Sequence, residues 1–175
     1  SPKPGCSESG MRSIKLTPLV IGLITAAAMI LLSILVFYYA PANSPLAYLI
    51  YALYAGGIMW TLLNYKASAD YQPTFGALFN QGFRCFIVVT IAMIFFFAIN
   101  SKMHPEFADE AAVATREYLQ KNKKENMLPH EIEASVENTR KGYTTGVVYG
   151  AIFSYLIIGV IFTVAGSGII LIRRR

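Results

Sequence analysis

LTPLVIGLITAAAMILLSILVFYY, residues 16–39, runs for 24 residues without a charged side chain. As a helix it is ~35 Å long, enough to cross a ~30 Å hydrocarbon core with some tilt. It closes on Phe37, Tyr38 and Tyr39, aromatic side chains of the kind that settle at a membrane–water boundary. Ala40-Pro41-Ala42 resembles the cleavage site of a signal peptide. The apolar run, however, exceeds the ~7–15 residues of such a signal, and three more apolar segments follow it. The stretch therefore reads as a retained membrane anchor.

Working outward, a short turn with Pro41 and Pro45 leads into a second apolar segment, residues 46–65, and a turn that short makes the two an antiparallel hairpin. Tyr48, Tyr51 and Tyr54 recur in it at helical spacing. A polar connector, 66–74, ends in Pro73 and Thr74, residues suited to a helix start. The third segment, 75–100, spans ~39 Å as a helix, and its opening turns carry Asn80, Gln81 and Arg84. Residues 101–141 are hydrophilic. Pro105 opens one helix there, with Phe107, Ala111, Ala114 and Tyr118 expected on its packed face. Pro129 opens a second, with Ile132 and Val136 on one face, which runs on into the fourth apolar segment, 143–172. The pattern predicts an all-α polytopic membrane protein: a four-transmembrane-helix bundle with a helical extramembrane segment between helices three and four. Residues 1–15 read as a flexible polar tail, with Met11 a natural start and the stretch before it an upstream extension. Residues 16–175 read as a single membrane domain, in which 101–141 is the insertion.

Composition agrees. The chain is 55% hydrophobic and 14% charged, against about 25% charged in soluble domains. The net charge of +5 flanks apolar segments and forms no basic stripe, so it argues for topology and against nucleic acid. One side of the expected bundle holds Lys3, Arg12, Lys15, Lys66, Arg84 and the terminal arginines against Glu8 and Asp70. The other holds seven basic and eight acidic residues, all within 101–141. The positive-inside rule then places both termini in the cytoplasm and 101–141 in the periplasm. Cys6 and Cys85 form no metal or redox spacing, and Cys85 reads as a small buried hydrophobe.

Few residues carry chemistry. Arg84 inside a span is costly; Asn80 lies one turn earlier on the same face, and Gln81 beside it, so the three are candidates for a lipid phosphate. The alternative is an arginine at the membrane edge whose guanidinium snorkels to the headgroups. No carboxylate lies inside any apolar segment, which counts against an ion-coupled transporter. Gly142, Gly146, Gly150 and Ser154 form a stripe at four-residue spacing, and Gly22 with Ala26 and Ala52 with Gly56 form small-residue pairs. Such residues let helix backbones approach, within one bundle or between molecules. His104 and His130 sit beside acidic residues without a third ligand, so no metal site is expected. No catalytic constellation and no cofactor motif is present.

Three short words stand in order along the chain: Thr74-Phe75-Gly76-Ala77-Leu78-Phe79, His104-Pro105-Glu106-Phe107, and Leu128-Pro129-His130-Glu131-Ile132-Glu133-Ala134. In their order and four-span frame, residues 11–175 resemble a bacterial membrane family, the domain-of-unknown-function family numbered forty-one ninety-nine. The resemblance implies a Gram-negative inner-membrane protein of four helices and brings no catalytic residues with it. The function expected is non-catalytic, a small accessory or scaffold subunit packing against itself or a larger membrane protein. The alternative is binding or transport of a lipid or lipid-linked substrate.

Overall fold

A computed structural model describes residues 16–39, 45–122 and 127–173. The expected 1–15 tail, most of the first turn and part of the 121–129 breaker region lie outside the described residues, as does Cys6. Among the described residues the fold is all-helical: α1 (Pro18–Tyr39), α2 (Ala47–Lys66), α3 (Phe75–Met103), α4 (Glu106–Lys121) and α5 (Pro129–Ile172).

Local chemistry sets the helix starts. Thr17 precedes Pro18, and its hydroxyl accepts from the Val20 N–H at 3.4 Å. Thr74, with extended backbone, caps α3 by accepting the Ala77 N–H at 3.3 Å. Pro105 occupies the cap position of α4, and Glu106 and Asp109 place negative charge in its first turn, where the helix dipole favours it. Pro129 opens α5, and the Glu131 carboxylate reaches back to the Leu128 N–H at 2.9 Å.

Three helices, α1, α3 and α5, are long and apolar enough to cross a membrane. Their apolar surfaces face outward: Leu23, Leu31, Leu35, Phe95, Phe153, Ile157 and Ile161 are all exposed. A water-soluble protein would bury such side chains, and their display marks the chain as membrane-embedded. The expected second span, α2, is 20 residues long, or ~30 Å. Its tyrosines, Trp60 and Asn64 lower its hydropathy below that of the other three helices. It nevertheless lies against α1, α3 and α5.

The bundle is antiparallel and registered at both ends. The Asn64 amide near the end of α2 donates to the Leu16 carbonyl before α1 at 2.7 Å. In the middle the buried Tyr54 hydroxyl donates to the Tyr155 carbonyl of α5 at 2.9 Å. At the far end Ser101 donates to Thr144 at 3.3 Å, and the Phe37 ring of α1 meets His104 and Phe107. The core between these points is Met29, Tyr54, Ile58, Leu62, Leu78, Phe86, Val89 and Met93. Thr25, Thr61 and Thr90, all buried, spend their hydroxyls on the carbonyl one turn earlier, which makes them tolerable there.

The 44 residues of α5 give one continuous rod of ~66 Å, about twice the hydrocarbon thickness. Its first turns therefore extend past the bundle, where they pair with α4 around Ala112, Ile132, Val136 and Leu119. Arg116 to Glu133 at 2.7 Å and Arg140 to Asp109 at 2.8 Å clasp the hairpin from outside. Ile132 and Val136 are buried as the spacing implied, but the packed face of α4 differs from the expected one. Phe107 and Ala111 are half-buried as expected, but Ala112 and Leu119 pack against Ile132 and Val136 of α5, while Ala114 and Tyr118 are exposed. The small side chains let α4 approach α5, and Tyr118 keeps its polar tip in solvent.

Candidate functional site

Arg84 lies nine residues into α3, ~14 Å along the axis. It is exposed, as is Asn80 one turn before it. The two share the outward face of the helix, and neither has a protein partner among the described residues. Gln81 is turned away from them. It lines a cleft of about 500 Å3 with Thr17, Thr61, Asn64, Tyr65 and Asp70. Asp70 is the charged residue among the described residues of that lining. The sequence candidates thus separate into an outward Asn80–Arg84 pair and an inward Gln81.

The small residues also separate. Gly22 meets α3 closely: a Cβ there would lie 3.0 Å from the Cys85 carbonyl oxygen. Ala26 is buried beside it. Ala52 and Gly56 are exposed, and a Cβ on Gly56 would have nothing within 4 Å. The same is true of Gly142, Gly146 and Gly150, and Ser154 completes an exposed row with them. Besides Gly22, the glycines that bring the helices together are others. Gly57 packs on Thr25, Gly82 on Thr163, Gly159 on Tyr54 and Phe86, and Gly166 on Met59 and Leu62. Sequence reasoning missed Gly57 because it singled out its neighbour Gly56, whose spacing to Ala52 makes a small-residue pair, and missed Gly82 because it stands among large residues.

At the opposite end, His104 joins α3 to α4. Its Nδ1 lies 2.7 Å from the Glu106 Oε1, and its ring packs at a tilt against Phe37 and Phe107. A backbone hydrogen bond of Glu106 itself, and then His104, hold the Glu106 carboxyl below the usual carboxylate range. His130 is exposed at the start of α5. Among the described residues no three His, Cys, Asp or Glu side chains converge as a metal site would need. Cys85 is a buried free thiol, 3.9 Å from the Gly57 carbonyl.

The three sequence words fall on helix entries, into α3, α4 and α5 respectively. The family model described as Protein of unknown function (DUF4199) matches residues 20–171. No curated protein and no solved structure matches the chain. The family match runs from the first turn of α1 to the last turn of α5 and takes in every helix of the fold, so the resemblance read from the words is borne out and the chain belongs to the DUF4199 family.

Proposed function

We propose that this protein is a non-catalytic, four-crossing bacterial inner-membrane protein that serves as an accessory or scaffold subunit, docking another transmembrane helix on the outer face of α5. One observation carries the reading. Five glycines of the bundle, Gly22, Gly57, Gly82, Gly159 and Gly166, seat a neighbouring helix's side chains, while Gly142, Gly146 and Gly150 stand in line on α5 with open space before them. A glycine in a helix costs about 1 kcal/mol relative to alanine. Three in register at an exposed face are accounted for by a close helix neighbour outside this chain. The stripe passes from the α4–α5 hairpin into the outward apolar face that holds Phe153 and Ile157. The partner is therefore a helix that is itself continuous through the membrane boundary.

In this reading α2 is the fourth crossing, supported by its antiparallel seat between α1 and α3. Both termini lie in the cytoplasm, and the α4–α5 hairpin lies in the periplasm, supported by the basic residues that flank the spans on the terminal side. The test is purification of tagged protein from its native membrane in mild detergent, with mass spectrometry of what accompanies it. A stoichiometric protein partner or a defined homo-oligomer is expected, lost in Gly146→Leu and Gly150→Leu with the monomer still folded. An unchanged assembly in both variants would overturn the docking face.

The Asn80–Arg84 pair favours a second reading, binding of a lipid or lipid-linked substrate through its phosphate. Both side chains are exposed on one face without a protein partner among the described residues. Arg84→Ala is then expected to lose an enriched anionic lipid on delipidation. Unchanged lipid retention in that variant would sink this reading and leave Arg84 as a membrane-edge anchor.

A further inference from the structure

A groove of about 380 Å3 lies between α1 and α3 at their C-terminal ends. Three turns earlier the same two helices touch at Gly22. Its body is apolar: Ile34, Phe37, Phe96, Ile99 and Met103. Its polar groups gather towards the end at which α3 stops, where Asn100, His104 and Tyr38 line it. The volume falls in the ~300–1,000 Å3 range of small-molecule sites. An apolar trough with a polar end, on the outward surface of two membrane helices and beside their interfacial aromatics, matches an amphiphile held as it lies in the bilayer. Its chain runs along the trough and its head stands at the boundary.

The polar end also selects the head. The His104 ring is fixed by Phe37 and Phe107, and its Nδ1 is committed to Glu106. That leaves Nε2 free to meet a ligand. Asn100 lines the groove half-buried, and its side-chain amide has no partner among the described residues. Glu106, an exposed carboxylate, sets a negative charge next to His104. A bare phosphate is repelled there. A primary ammonium can donate to the Asn100 carbonyl and to the His104 Nε2, whose strength as an acceptor the Glu106 carboxylate on Nδ1 raises. We propose that this groove binds one phospholipid with an ammonium headgroup, its acyl chain along Ile34, Phe96 and Ile99 and its head at Asn100 and His104, with the Glu106 charge behind the His104 ring.

The site lies at the end of the bundle opposite Arg84, so its test is separable from the phosphate reading. The experiment is native mass spectrometry of the full-length protein, delipidated and then offered equal amounts of phosphatidylethanolamine and phosphatidylglycerol with the same chains. One retained phosphatidylethanolamine is expected in excess over phosphatidylglycerol. Ser33→Phe and Ile34→Trp fill the trough from α1 and are expected to lose that adduct. Ile34 already faces outward, so Ile34→Trp reports even if Ser33→Phe fails to fold. Leu35→Trp, outside the groove, and Arg84→Ala are expected to keep it. Asn100→Ala and His104→Ala are expected to keep a lipid and lose the preference for the ammonium head. Equal uptake of both lipids by the natural chain, retention by the filled variants, or loss in Leu35→Trp would each overturn the proposal.

Discussion

Gly159→Leu is expected to destroy the bundle, whereas Gly146→Leu, thirteen residues earlier on the same helix, leaves its stability within about 0.5 kcal/mol. A Cβ at Gly159 would lie 2.5 Å from the Tyr54 hydroxyl oxygen and 2.8 Å from the Phe86 ring. Tyr54 cannot swing aside without giving up its hydrogen bond to the Tyr155 carbonyl, and Phe86 is fully buried. Overpacking of this kind costs about 1–3 kcal/mol where neighbours can shift, and here they are locked from two helices. Gly82→Leu meets Thr163 in the same way. The check is thermal unfolding in detergent followed by circular dichroism. Gly159→Leu and Gly82→Leu should lower the midpoint steeply or fail to give folded protein, and Gly146→Leu should overlay the natural chain. A normal midpoint for Gly159→Leu would mean that α5 does not seat against α2 and α3 as described.

Ile132→Asp is expected to melt the α4–α5 hairpin while leaving the membrane bundle intact. The hairpin core is small: Ala112, Ile132 and Val136 are its buried members, with Leu119 against them. Removing a buried Ile costs about 2–5 kcal/mol, and burying a carboxylate without a partner adds to that. The clasps Arg116–Glu133 and Arg140–Asp109 are half-exposed and contribute at most about 1 kcal/mol each, too little to hold the hairpin without its core. The bundle has its own ties, from Asn64 to Leu16 and from Tyr54 to Tyr155. Limited proteolysis should therefore open residues 104–140 in Ile132→Asp and spare α1 to α3. Protection equal to that of the natural chain would show that the hairpin is held by something other than this core.

Much of the fold was legible because membrane helices advertise themselves. The uncharged run of residues 16–39 predicted α1 to within two residues of its start, and Pro73–Thr74, Pro105 and Pro129 marked the next entries by their backbone chemistry. Facing was less legible. Four-residue spacing shows that Gly142, Gly146, Gly150 and Ser154 share a face, but not whether that face looks in or out. The five-residue step from Ser154 to Gly159 rotates ~140° round the helix, so the outward stripe and the inward Gly159, Thr163 and Gly166 belong to different sides of α5. In α4 the apolar residues are mostly alanines, which define no sharp stripe. The packed face consequently takes in Ala112 and Leu119 rather than Ala114 and Tyr118. The α1–α3 groove left no trace in the sequence, since Ser33, Phe96 and His104 become neighbours only through the antiparallel course of the chain.

Four crossings are the core of the proposed topology, and α2 is the helix that decides the number. The direct measurement is labelling of single cysteines at Pro45, Ser68 and Asn122 in intact and opened cells with a membrane-impermeant maleimide, after replacing Cys6 and Cys85 by alanine. The four-crossing bundle predicts that Pro45→Cys and Asn122→Cys label in intact cells and that Ser68→Cys labels only once the cells are opened. Pro45→Cys and Ser68→Cys labelling under the same condition would put both ends of α2 on one side of the membrane and contradict it.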